Sequence, residues 1–413
     1  MCIRDRTNTK DLCERGKEWI IDEIKKSELR GRGGAAFPTG VKWSFLAPNQ
    51  ASTKYVLCNC EEGDPGAYND KGILETDPHT LVEGLILNGY ATNSNKSYVF
   101  IRQGHDIPIN AIERAIKEAY DNGILGENIL GSNFSFDMEV SLTGDSYVAG
   151  EETALMEAIE GKRSTPRFKP PFPAASGLWK KPTNINNVKT ISYVPEIIKN
   201  GSEWFKGTGT EKSTGTAIVC LSGHINRPGM YEIPMGMTIN DVLENIGGGS
   251  NSETDIKMLQ TGGPLGGVLG KEAFLTKIDF DEMAKSGAIL GSGGIIVCDE
   301  SVSVVDLIRN LVAFNQFESC GKCFPCRLGN THMYDVLDRL CNSKSEPNDL
   351  ALLERIGNSM KIGSLCGHGQ LGYNPISSSL KYFQSEISDS INNISEPLEK
   401  MLIPTRTRPN NLE

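Results

Sequence analysis

Cys320, Cys323 and Cys326 stand three residues apart in "ESCGKCFPCRLG" (318–329). This C-x2-C-x2-C spacing lets one loop offer three thiolates to three irons of a cubane cluster. Zinc more often takes two separate C-x2-C pairs that close a tetrahedron. A ferredoxin run would continue with a cysteine four residues on, and that position is Asn330. The fourth ligand must come from elsewhere, with Cys298, Cys341 and Cys366 as candidates. Cys341 ends a helical segment and reads equally well as a buried thiol. Cys366 lies in "GSLCGHGQ", bracketed by glycines as the first three are. His332 and His368 flank the site and read as structural, since histidine ligands to a cubane are uncommon.

A second constellation starts at "GRGGAAFPTGVKWSF" (31–45), where Gly31, Gly33 and Ala36 spell G-x-G-x-x-A. A dinucleotide fingerprint needs a strand before it and a helix after it. This run follows a helical pattern and meets Pro38, so it reads as a loop and not as an ordinary Rossmann turn. Clustered glycines still let a backbone approach a ligand and present N–H groups to phosphate. Arg32 and Lys42 add positive charge, and Phe37, Trp43 and Phe45 offer rings to stack on a flat ligand or to fill a core. "CNCEEGDPG" puts Glu61, Glu62 and Asp64 after a strand, where carboxylates reach ribose hydroxyls or a flavin edge, or are simply solvated. Glu151 and Glu152 open a helix in "YVAGEETALMEAIEG", where its dipole favours acid. "RFKPPFPA" sets Lys169 and Phe172 among three prolines, a stiff loop able to hold an aromatic over a ring.

The elements that must position these residues fall into three textures. Residues 11–30 have helical periodicity, with Trp19, Ile20 and Ile24 near one face. Strands are expected at 54–60, 97–102 and 136–142, and 61–70 reads as a loop. Helices are expected at 77–92, entered at Asp77 with Pro78 in first position, at 109–123 and at 151–161. This alternation predicts a parallel α/β sheet up to about residue 200. From 215 to 297 the pattern is short strands, Gly/Pro turns and one helix, a small α+β unit. From 302 to about 391 it is helical, with segments at "VVDLIRNLVAFNQF", "THMYDVLDRLC", "DLALLERIGNSMK" and "SSSLKYFQSEIS".

Composition bounds the function. The 413 residues carry a net charge of −10, which argues against a general nucleic-acid binder. No apolar run reaches the length of a membrane helix, and "MCIRDRTNTKDLCERGKEWI" lacks a signal-peptide core. A soluble, cytoplasmic chain is expected, able to sit peripherally on a membrane complex. Eleven cysteines without a secretory signal point to metal binding, catalysis or burial and not to disulfides. No convincing Ser/His/Asp set is present.

Taken together, "RGRGGAAFPTGVKWSF", "CNCEEGDPG", "DPHTLVEG", "YVAGEETALMEAIEG", "KPPFPA", "TNINNVKT", "SGHINRPG" and "ESCGKCFPCRLG" with "SLCGHG" resemble one family over residues 11–385. It is the flavoprotein subunit of the NADH-dehydrogenase module of respiratory complex I and of soluble NAD-linked hydrogenases and formate dehydrogenases. The resemblance implies α/β, α+β and all-α parts. These are an atypical Rossmann-like FMN/NADH-binding domain (7–205), a ubiquitin-like β-grasp (SLBB) domain (215–297) and a helical bundle with a [4Fe-4S] cluster (302–395). It puts FMN contacts on Gly31, Arg32, Gly33, Lys42, Asn59, Glu61, Tyr147, Gly150, Glu151, Asn186 and Asn187, with Glu62 beside them. NADH contacts fall on Phe37, Phe45, Asp64, Glu152, Lys169 and Phe172, and the cluster ligands on Cys320, Cys323, Cys326 and Cys366. The implied activity is hydride transfer from NADH to FMN, then single-electron transfer through the cluster to a partner and ultimately quinone. A thioredoxin-like [2Fe-2S] subunit and a further iron–sulfur subunit are the implied partners.

Some positions depart from the family. Asp64 replaces a glutamate near the adenosine ribose, which loosens rejection of a 2′-phosphate. Cys60 replaces a small residue, Ala149 a cysteine, Lys189 a glutamate, and "IRQGH" (101–105) an Arg-Gly-Glu-Tyr run. Met1–Arg6 match nothing in the family. Two alternatives stand beside this reading: the electron-entry subunit of a soluble hydrogenase or formate dehydrogenase, bifurcating or not, and a zinc-stabilised binding protein without redox activity.

Overall fold

The computed structural model describes residues 15–392. Met1–Arg6, the start of the helix expected from 11, and the outer bounds 7 and 395 lie outside them. Two sheets and a helical region follow one another along the chain.

The first sheet has the order β3-β2-β1-β4, from strands β1 (Tyr55–Cys60), β2 (Lys96–Arg102), β3 (Asp137–Thr143) and β4 (Thr183–Asn187). All its pairings are parallel, so all four strands end on one edge. The register sets Asn59 opposite Asn187 and Phe100. The helix Pro78–Thr92 backs the sheet and buries Leu81, Leu85, Ile86 and Leu87. Each such side chain contributes about 2 kcal/mol. Its start follows the sequence, since Asp77 accepts from the Thr80 N–H and Pro78 occupies the first turn.

The second sheet has the order β6-β5-β9-β7-β8. Its strands are β5 (Thr216–Gly223), β6 (Gly229–Pro234), β7 (Ile256–Thr261), β8 (Gly267–Gly270) and β9 (Gly294–Asp299). The β5–β9 pair is parallel and the others antiparallel. This unit grips the first through the loop after β1. Asn69 Nδ2 donates to the Ile218 and Ser292 carbonyls (2.9 and 2.8 Å), and the Tyr68 hydroxyl to the Leu221 carbonyl (3.0 Å). The helices Val304–Phe317, Phe324–Cys341, Asp349–Gly363, Asn374–Tyr382 and Gln384–Asn392 complete the described chain. Their core extends into the second sheet through Met258, Val268 and Cys298.

Four expectations change. Residues 31–45 are not all loop. Pro38 caps the helix Thr39–Leu46, because an N–H at a helix start has no intrahelical partner to lose. The loop expected at 61–70 ends in a helix, Asn69–Thr76, which lacks a local cap at Tyr68 and so leaves no start signal. The helix expected at 109–123 begins one turn earlier, at Asp106, with Pro108 in its first turn. The last helical segment is broken at Phe383 into two helices.

Candidate functional site

The carboxyl edge of the parallel sheet gathers most of the expected flavin contacts, at the place where open α/β sheets bind ligands. Asn59, one residue before the end of β1, donates from Nδ2 to the Gly150 carbonyl (2.8 Å), while its Oδ1 accepts from the Glu61 N–H (3.1 Å). Arg102, at the end of β2, pairs with Glu61 and with Asp145. Burial pushes the Glu61 carboxyl up to about 7 against the pull of Arg102. Asn186 and Asn187 end β4. Asn186 Oδ1 accepts from Trp43 Nε1 (3.1 Å), and Asn187 Nδ2 donates to Asp70 Oδ2 (2.6 Å).

The glycine loop lies directly on this edge. A Cβ on Gly33 would come within 2.7 Å of Asn187 Cβ, so this approach needs a glycine. Gly34, at φ +122°, has open space around it. Among the described residues, the N–H groups of Gly33, Gly34 and Ala35 meet no acceptor at hydrogen-bond geometry. Free backbone donors with Lys42 on the next helix suit a phosphate. Lys42 Nζ donates to the Ile185 carbonyl (2.6 Å) and to Glu152 (3.2 Å), and Lys169 Nζ reaches Glu152 from the other side (2.5 Å). Burial opposes ionisation of Glu152, but the two lysines outweigh it and hold the carboxyl down at about 2. Phe37 and Phe45 lie 6.4 Å apart between centroids, and both are exposed, as is Phe172. Rings left in solvent beside a charged trio fit a stacking ligand better than a core. These features fit FMN and a nicotinamide nucleotide.

Four expected contacts are placed differently. Arg32 is buried with its guanidinium turned to the second unit, donating to the Thr214 carbonyl (2.7 Å) and lying over Phe280. Only its loop backbone remains near the edge. Glu62 accepts from the N–H groups of Asp70 and Lys71 (2.9 and 3.0 Å), so it caps the helix Asn69–Thr76 from eight residues upstream. Asp64 accepts from the Tyr147 hydroxyl (2.6 Å) and Ser292 Oγ (2.5 Å), which tie it to the turn after β3 and to the second sheet. Glu151 accepts from the N–H groups of Thr153 and Ala154 (both 2.9 Å) and caps its own helix.

The sequence reading missed a buried pair behind Asn187. Lys189 is 2% exposed, and its Nζ lies 2.8 Å from Asp70 Oδ1 and 2.7 Å from Asn69 Oδ1. Burial disfavours the ammonium, but Asp70 and Glu62 raise its pKa on balance. A lysine inside "TNINNVKT", with Val188 before it and Ile191 two residues after it, was the available signal.

Cys320, Cys323, Cys326 and Cys366 line a single small cavity, walled by Val148 and Leu365. Cys323 caps the helix Phe324–Cys341 and Cys326 lies in its first turn, so the motif is not wholly a loop. Cys366 caps the short helix Gly367–Gln370. Cys298 and Cys341 are buried in the apolar core with Val304 and Met333. His332 is absent from the cavity lining, and His368 lines it but turns Nε2 to the Asn315 carbonyl (2.8 Å). Ser319 Oγ and Asn330 Nδ2 each lie 3.4 Å from Cys326 Sγ. Burial pushes the Cys326 thiol up to about 12 and the Cys366 thiol to about 11, so thiolates here need a cation at the sulfur. Among the described residues, no three His, Cys, Asp or Glu side chains converge as ligands of one ion. Four sulfurs ringing a cavity suit a cluster better than a lone zinc.

The two sites share a wall. In the 3-10 turn Tyr147–Gly150, Val148 lines the cysteine cavity, Tyr147 bonds Asp64, and Gly150 backs on Glu61.

Comparison with known proteins agrees with this geometry. Residues 24–196 match the Nuo51 FMN-binding domain, 218–269 the SLBB domain and 306–390 the NADH-ubiquinone oxidoreductase-F iron-sulfur binding region. The chain is 44% identical over 367 residues to the HndC component of the NADP-reducing hydrogenase of Solidesulfovibrio fructosivorans, covering 89% of this chain and 75% of that protein. It is 41% identical over 381 residues to an NADH-quinone oxidoreductase F-type protein of Rhizobium meliloti, covering 92% and 90%. A crystal structure of NAD+-reducing [NiFe]-hydrogenase superposes at TM-score 0.83 and 29% identity over 91% of this chain, which spans 62% of that one. The chain therefore belongs to the family of F-type components of NADH-quinone oxidoreductase and their hydrogenase counterparts.

Proposed function

We propose that this chain is the electron-entry flavoprotein of a multi-subunit oxidoreductase, oxidising NADH and passing electrons singly to a partner. The observation that carries the reading is the shared wall between the flavin edge and the cysteine cavity. Bound FMN would accept hydride as an electron pair and an iron–sulfur cluster would relay single electrons. The chain's own part is to bind, orient and insulate. The N–H groups of Gly33, Gly34 and Ala35, with Gly31 opening their loop, and Lys42 hold the FMN phosphate, with Asn59, Glu61, Asn186 and Asn187 around the ring system. Phe37, Phe45 and Phe172 stack the nucleotide, and Lys169 with Glu152 meets its polar groups. Cys320, Cys323, Cys326 and Cys366 hold the cluster. Arg32, Glu62, Asp64 and Glu151 act by fixing the elements around it.

We divide the chain at 7–205, 215–297 and 302–395. Among the described residues no helix is long and apolar enough to cross a membrane, and we place the protein in the cytoplasm, held by its partners. Those partners would be a thioredoxin-like [2Fe-2S] subunit and a further iron–sulfur subunit. Similarity to HndC and to a solved hydrogenase favours, as a second reading, a soluble hydrogenase in place of a quinone-linked complex. The test is anaerobic purification, quantification of flavin and iron, then separate addition of NADH and NADPH. Flavin bleaching by NADH with a cluster EPR signal is expected. Bleaching by neither nucleotide refutes the proposal.

A further inference from the structure

We infer that the surface around the cysteine cavity is a docking site for an acidic one-electron carrier protein. This rests on the proposal that electrons leave the chain through these cysteines. The segments 161–169, 318–331 and 358–368 frame the cavity. They hold seven of the chain's 42 Lys and Arg but one of its 52 Asp and Glu; Lys162, Arg167 and Lys169 pair with Glu151, Glu152, Glu157 and Glu160 just outside, which leaves Arg163, Lys322, Arg327 and Lys361 in excess. A chain of net charge −10 thus turns a basic face to its electron exit.

Three of these four cations are held in place without an acidic partner. Arg163 Nη2 donates to the Cys320 carbonyl (2.8 Å), Lys322 Nζ to the Pro166 carbonyl and Arg327 Nη1 to the Gly321 carbonyl. All three residues are exposed, and among the described residues none of them joins an ion pair. Glu318, the one acid, turns inward to accept from the Tyr147 N–H (3.0 Å). Backbone carbonyls fix the side chains without cancelling their charge, so the field is available to a partner.

Apolar groups lie among these cations. Phe168, Phe324 and Ile362 are 72%, 65% and 87% exposed. Lys322 Nζ lies 5.6 Å from the Phe168 ring centroid. A Cβ on Gly363 would stand 2.9 Å from Pro325 Cγ, so the backbone next to Ile362 packs on the residue next to Phe324. Exposed aromatic and aliphatic anchors inside a charged rim are the anatomy of a protein interface. A basic rim selects an acidic partner by steering and by excluding basic ones.

The test uses the full chain loaded with FMN, iron and sulfide, under anaerobic conditions. Two one-electron acceptors of opposite charge are compared: acidic plastocyanin and basic cytochrome c. Each NADH, oxidised to NAD+ and a proton, reduces two acceptor molecules by one electron each. The net charge of −10 by itself favours cytochrome c, whereas the local surface favours plastocyanin. We expect plastocyanin to be reduced at least about tenfold faster at low ionic strength, with the gap closing near about 0.5 M salt. Arg163→Glu combined with Lys361→Glu should lower the plastocyanin rate at least about fivefold, with iron content and flavin bleaching by NADH unchanged. Faster cytochrome c reduction at low salt, salt-independent rates, or no effect of the charge reversals would overturn the proposal. So would a chain ending at Asn392 that reduces plastocyanin several-fold faster, because the surface would then belong to the chain's own C-terminal segment. Loss of NADH bleaching in the wild type would instead sink the underlying function, and this inference with it.

Discussion

Lys189→Met keeps the length of a buried side chain and deletes its charge. In the wild type, Lys189 Nζ lies 2.8 Å from Asp70 Oδ1, and both side chains are at most 5% exposed. Without the ammonium, Asp70 faces Glu62 with Lys71, 4.0 Å from Glu62, as the remaining nearby cation. Removing one partner of a buried pair costs about 3–5 kcal/mol. Glu62 softens this loss, since burial and Asp70 already push its carboxyl up to about 7, and a further rise lets it take a proton. We expect a loss of about 3 kcal/mol, at the lower end of that range. The double variant Lys189→Met/Asp70→Asn removes both charges and keeps an acceptor for Asn187, so it should return to within about 1 kcal/mol of wild type. Urea unfolding followed by tryptophan fluorescence reads the right region, because Trp19, Trp43, Trp179 and Trp204 all precede the second sheet. A single variant within about 1 kcal/mol of wild type, or a double variant less stable than the single, refutes the pairing argument.

Cys366→Ser should abolish stable cluster loading while Cys341→Ser leaves it intact, since Cys366 lines the cavity and Cys341 lies in the helical core. Iron and sulfide content decides this, and full loading of the Cys366 variant would refute the assignment. Glu61 and Glu62 have folded pKa values near 7, raised above the ordinary carboxyl value of about 4.3. Their contribution to stability is therefore present at low pH and lost as pH rises through 7. In the unloaded protein, Glu61→Gln/Glu62→Gln should remove part of any fall in melting temperature between pH 6 and pH 8. An identical pH slope in both proteins would contradict the raised values.

What could be read from the sequence was local chemistry. The spacing of Cys320, Cys323 and Cys326, the Asp77–Pro78 helix entry and the strand ending at Cys60 each depend on near neighbours. The parallel sheet followed from alternation alone. Pairings made by the fold could not be read this way. Arg102 was visible only as part of an unusual "IRQGH", because its partner Glu61 is 41 residues away on the adjacent strand end. Glu62 looked like a ligand carboxylate, since nothing local shows that a helix will begin at Asn69 beneath it. Nothing near Asp64 in sequence shows that the second sheet brings Ser292 onto it from 228 residues downstream. Spacing left Cys298, Cys341 and Cys366 open, and the family resemblance picked Cys366; the fold puts Cys366 on the cavity and Cys341 in the core.

The turn Tyr147–Gly150 is four residues long and faces both sites. Ordering it against a flavin also orders the wall of the metal cavity, and filling that cavity orders the flavin's wall. Linkage makes this reciprocal: whatever factor iron adds to flavin retention, flavin adds to iron retention. Maturation of the protein is then coupled, each group retained better once the other is in place.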